Sequence, residues 1–86
     1  MRAFQATVFV NLRSSVLDPA GEAARAAANR MGVQGITKLR IGKSITIEIE
    51  ALNEQEALEK IELLSDRLLA NTVIEDWRLD LKELGS

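Results

Sequence analysis

From Phe4 to Leu12 the chain alternates. Phe4, Ala6, Val8, Val10 and Leu12 share one parity, and Gln5, Thr7, Phe9 and Asn11 the other. Successive strand residues point to opposite faces, so a period of two with β-branched residues predicts a half-buried strand. The period then changes. Ala20, Ala23, Ala24, Ala27 and Met31 recur at helical spacing and make a narrow apolar stripe. Asp18 is placed to cap that helix, Pro19 suits its first position, and Gly32 suits its left-handed end. A short strand is predicted over 36–41, a tight turn at Gly42-Lys43, and a further strand in "SITIEIE". There Ile45, Ile47 and Ile49 face inward and Thr46, Glu48 and Glu50 outward, so the two runs read as a hairpin. Asn53 and Glu56 form a capping box, with Leu52 and Ala57 as its staple. Ala57, Leu58, Ile61, Leu64 and Leu68 then line one helical face. Asn71 can take the left-handed cap. The last strand is predicted over 73–81, with Trp77, Leu79 and Leu81 on one side.

The predicted order is βαββαβ. Crossovers between strands are right-handed and loops do not cross. This favours an α+β, ferredoxin-like sandwich: a four-stranded antiparallel sheet in order 4-1-3-2 with two helices on one face. One domain over 1–84 is expected, with a frayed tail at 85–86. A chain of 86 residues buries only about 60–65% of its unfolded surface, too little for a deep pocket of its own. No apolar run approaches the ~20 residues of a membrane span, and the N-terminus alternates rather than resembling a signal peptide.

Composition narrows the chemistry. Histidine, cysteine and tyrosine are absent, which removes the side chain that titrates near neutrality, thiolate chemistry and the usual nitrogen and sulfur metal ligands. A cytoplasmic location fits the lack of cysteine. Net charge is −2 but uneven: residues 1–43 carry seven basic and two acidic side chains, residues 44–86 four basic and eleven acidic. In the predicted topology one sheet edge is basic, through Lys38, Arg40 and Lys43, and the other acidic, through Glu75, Asp76 and Asp80. Such edges either steer strand pairing or discourage it.

Glu75 and Asp76 are adjacent carboxylates, but strand neighbours point apart and cannot converge on one atom as an acid–base pair. Glu54, Glu56, Glu59, Glu62 and Asp66 read as a solvated helix face, without a convergent metal site. "IGKS" lacks the upstream glycine of a phosphate loop and does not open a helix. Lys43 is either a solvated turn residue or a partner contact. Of three aromatics only Phe9 faces the open side of the sheet, among Glu48, Glu50, Asp76 and Asp80, which argues against nucleic acid. Phe9 and Ile74 on that face point to burial by another subunit. Trp77 reads as core.

"SVLDPAG" (15–21), "LRIGKSITIEIE" (39–50) and "LLANTVIEDWR" (68–78) together resemble the PurS family, the small subunit of phosphoribosylformylglycinamidine synthase, a ligase. The resemblance runs through nearly the whole chain. It implies a subunit with no catalytic, cofactor or metal site of its own. The family's chain dimerises, with association of dimers left open, and bridges a PurL synthetase and a PurQ glutaminase. Together they convert formylglycinamide ribonucleotide to formylglycinamidine ribonucleotide in purine biosynthesis; the synthetase uses the ATP and Mg2+. On this reading Phe9, Arg40, Lys43, Asn71, Thr72, Glu75, Asp76 and Arg78 present the dimer and docking surfaces. The competing reading is an ACT-like regulatory module binding a small molecule at a dimer interface. Against it, the first strand–helix loop places its only glycine, Gly21, inside the helix start.

Overall fold

The computed structural model describes residues 1–85. Its elements run β1 (Arg2–Leu12), α1 (Pro19–Arg30), β2 (Lys43–Ala51), α2 (Glu54–Leu64), a π-helical turn (Ser65–Leu69) and β3 (Glu75–Glu83). The sheet has three strands in order β2-β1-β3, both pairings antiparallel. The predicted four-stranded sheet is therefore wrong by one strand: residues 36–41 form none, and no hairpin turns at Gly42-Lys43. The three strands that do form keep the relative order expected of them. Of the tail at 85–86, Gly85 has no regular structure and Ser86 lies outside the described residues.

The missing strand has a local cause. The Arg40 guanidinium donates to the carbonyls of Leu12 and Arg13, at 3.4 and 2.8 Å. The Ile41 amide donates to Asp18 Oδ2 at 2.8 Å. A Cβ on Gly42 would overlap Asn11 Oδ1 and the Val10 carbonyl. Residues 40–42 are thus committed to the end of β1 and the start of α1, and the chain enters β2 directly, with Lys43 opposite Val10. Upstream, Gly35 at φ +93° interrupts the extended run.

The caps follow their sequence signals. Asp18 Oδ1 accepts from the Gly21 amide at 2.9 Å, and Pro19 opens α1. At the other end Gly32 adopts φ +92°; its amide donates to the Asn29 carbonyl and that of Val33 to the Ala28 carbonyl. These two bonds make a Schellman motif. Asn53 Oδ1 accepts from the Glu56 amide at 2.8 Å, while the Glu56 carboxylate pairs with Lys60. Leu52, expected to staple that cap, is exposed.

The core is small. Phe4, Ala6, Val8 and Val10 of β1 are buried against Ala51, Ala57, Ile61 and Ala70, with Ile45, Ile47, Ile49, Trp77, Leu79 and Leu81 half-covered at its margins. Past Leu64 the α2 backbone widens into the π turn, so the inward row continues 57, 61, 65, 69. Leu69 packs on the core, and Leu68, expected there at 3.6-residue spacing, is 72% exposed. Ser65, carried inward by the same shift, donates its hydroxyl to the Ile61 carbonyl at 2.7 Å.

The chain is elongated. Its extents are 52 × 30 × 14 Å and its radius of gyration 16.8 Å, against about 12 Å for a compact domain of this length. In the first helix Gly21 is the only buried residue.

Candidate partner interface

Strand register brings the predicted interface residues to one end of the sheet. Leu12 pairs with Glu75, Asn11 with Asp76 and Phe9 with Arg78 on one flank of β1; Val10 pairs with Lys43 on the other. Arg40 reaches the same end through its bonds to Leu12 and Arg13. Positions from 9 to 78 thus share one rim, although the sequence separates them widely.

Two residues outside the predicted set organise that rim. Arg13 donates its amide to the Ile74 carbonyl at 2.9 Å and its guanidinium to the Thr72 carbonyl, and it lies 3.5 Å from Asp76. Asp18, nearly fully buried, takes two backbone amides at once. Those donors, that of Ile41 first and that of Gly21 next, hold its carboxyl below the usual carboxylate range, and Arg40 adds to the effect. The sequence signal was present for Asp18 as a cap. Its second role, anchoring Ile41, depends on a contact 23 residues away.

The loop before β3 is held by its own side chains. The Asn71 amide donates to Glu75 Oε1 at 2.7 Å, Asn71 Oδ1 accepts from the Val73 amide at 3.2 Å, and the Asn71 carbonyl accepts from the amides of Ile74 and Glu75. Asn71 therefore makes a turn of its own and not the left-handed cap; no non-glycine described residue has a positive φ. This arrangement exposes Thr72 and Val73. The two carboxylates of the "ED" pair have separate tasks: Glu75 closes the loop, and Asp76 faces Arg13. On the open face of the sheet Arg78 stacks 4.1 Å from the Phe9 ring centre, a cation–π contact, and Asp80 lies 4.0 Å beyond it.

The rim carries charge of both signs, exposed backbone and one aromatic–cation pair. Among the described residues no three acidic side chains converge as a metal site. A depression of about 520 Å³ lies at the other end of the sheet, lined in part by Phe4, Ile49 and Leu84. Among the described residues no helix is long and apolar enough to cross a membrane. The predicted basic edge does not exist, because Lys38 and Arg40 are in no strand; the free edges belong to β2 and β3.

Residues 5–83 match the family model PurS, described as phosphoribosylformylglycinamidine (FGAM) synthase. The chain belongs to the PurS family. The match takes in every candidate rim residue. A Synechocystis protein named phosphoribosylformylglycinamidine synthase subunit PurS is 39% identical over 82 residues, covering 95% of this chain and 82% of that one. Among solved structures, Thermus thermophilus PurS superposes with a TM-score of 0.85 at 37% identity, over 96% of this chain and 99% of that one. A chain in the Thermotoga maritima PurLQS structure gives 0.85 at 36% identity, over 98% and 100%. These two PurS chains therefore share the fold over nearly the whole of this chain.

Proposed function

We propose that the chain acts as the small, non-catalytic subunit of phosphoribosylformylglycinamidine synthase. It pairs with a second copy, and the pair holds a PurL synthetase and a PurQ glutaminase together. The synthetase uses ATP and Mg2+, the glutaminase supplies ammonia from glutamine, and this chain brings no cofactor. The work is done in the cytoplasm. The observation that carries this reading is the likeness to a chain in the PurLQS structure, which runs over 98% of this chain and 100% of that one. The residues agree with it. A chain without histidine or cysteine lacks the ordinary nucleophile and base for glutamine hydrolysis. Its rim instead offers charged and backbone groups suited to docking.

The test is glutamine-dependent synthesis by the two larger subunits from the same organism, with and without this chain. Activity should appear only with the chain present, and the chain alone should turn over nothing. Equal activity in its absence would refute the proposal. In that event thermal-shift screening against amino acids would ask whether the chain is a ligand-binding regulatory module.

A further inference from the structure

Arg13, the residue after β1, is held from three sides. Its amide continues the pairing of β1 with β3 by donating to the Ile74 carbonyl at 2.9 Å. Its carbonyl accepts from the Val16 amide at 2.9 Å and from the Arg40 guanidinium at 2.8 Å. A backbone fixed in this way aims the side chain. The guanidinium reaches over the loop before β3, where Nη2 donates to the Thr72 carbonyl and Nε lies 3.5 Å from Asp76 Oδ1. As an ion pair the second contact adds little stability, because the two side chains are 47% and 73% exposed. Its effect is directional: the carboxylate at Nε orients the planar fork, and the fork's far arm then meets the carbonyl.

The loop is held in two different ways. Asn71 and Glu75 set its shape through bonds between residues no more than four positions apart. Its placement against the sheet falls to Arg13, which reaches Thr72 from 59 residues away. Among the described residues no other side chain from outside the loop and β3 bonds to residues 71–74. The two Arg13 bonds, to the carbonyls of Thr72 and Ile74, bracket Val73, which is 81% exposed.

We infer that Arg13 is the positioning residue of the docking surface: it holds Thr72 and Val73 in place for a larger subunit and is not itself the contact. This rests on the reading above that the rim docks those subunits. A loop ordered before binding has no conformational freedom left to lose on binding. The backbone freedom of one residue corresponds to about fivefold to thirtyfold in an equilibrium constant. Loss of the hold on Thr72 and Val73 should therefore weaken docking about tenfold or more. Lysine in place of Arg13 separates position from charge. It keeps the positive charge but offers one point, which cannot serve the Thr72 carbonyl and Asp76 from two separate nitrogens. A charge contact to a partner survives that exchange, and a positioning fork does not.

The test titrates chains into the two larger subunits and reads the chain concentration that gives half-maximal glutamine-dependent synthesis. Arg13→Lys should raise that concentration about tenfold or more, with maximal rate and thermal midpoint near the parent's. Amide hydrogen exchange should quicken at Val73 and Ile74 and not within β1. Val73→Ala changes an exposed side chain outside the core and should raise the half-maximal concentration by itself. The double variant should fall short of the product of the two effects, because a displaced contact cannot be lost twice. Parent-like binding by Arg13→Lys would overturn the proposal, since charge would then suffice. Parent-like binding by Val73→Ala, or effects that multiply in full, would overturn it too, since Arg13 would then act apart from the loop. Synthesis that does not respond to the parent chain would overturn the docking reading itself.

Discussion

Leu68 and Leu69 are neighbours with opposite environments, and the π turn decides which one matters. Leu69 packs against the core, whereas Leu68 is 72% exposed. Truncating a fully buried leucine to alanine costs about 2–5 kcal/mol, transfer and cavity together. Leu69 is only half-buried, so Leu69→Ala should cost about 1–2.5 kcal/mol, half of that range. Leu68→Ala removes little buried surface and should stay within about 0.5 kcal/mol. Total stability for 86 residues is on the order of 4–13 kcal/mol, so the first change is a visible fraction of it. Urea unfolding followed by circular dichroism would give both midpoints at constant slope. Repeating the titrations over a tenfold range of chain concentration separates intrinsic cost from any contribution of dimerisation. If Leu68→Ala proves the more costly at every concentration, the helix continues at 3.6-residue spacing and the π turn is wrong.

Gly21→Ala tests close approach against helix propensity. Alanine is the better helix former by about 1 kcal/mol, yet its Cβ would overlap the Leu39 carbonyl and crowd Asp18, so a net loss of about 1–3 kcal/mol is expected in the same unfolding assay. Two carboxyls should make the fold acid-sensitive: Asp18, held down by the amides of Ile41 and Gly21, and Glu83, held down by its hydrogen bond to Arg2. Their folded pKa values lie below the unfolded ones, so their stabilisation is intact above about pH 4–5 and is lost as pH falls through the folded values. Asp18→Asn should flatten the loss seen in thermal midpoints between about pH 5 and pH 2. At the rim, Asp76→Lys breaks the pairing with Arg13 and leaves the Asn71–Glu75 loop intact. It should lower the yield of complex with the two larger subunits on gel filtration while the melting temperature holds; unchanged assembly would remove Asp76 from the docking surface.

What the sequence determined by itself was local. Alternation marked β1, β2 and β3, and Asp18-Pro19, Gly32 and Asn53 marked helix ends, because strand parity and caps depend on residues within a few positions of each other. The motifs 15–21, 39–50 and 68–78 were also sufficient to place the family. Tertiary structure decided the rest. Residues 36–41 have strand parity, but pairing is non-local, and the bonds of Arg40 and Ile41 to the end of β1 and to Asp18 removed the hairpin. The π turn moved the inward face from Leu68 to Leu69, a change of one residue that a fixed 3.6 period does not contain. Asn71 closed a loop with Glu75 instead of capping a helix, since a partner four residues on was within reach. The rim is a tertiary product as well. Arg13, Arg40, Lys43 and Asp76 are brought to one end by antiparallel register on both flanks of β1, which charge counted along the chain does not reveal.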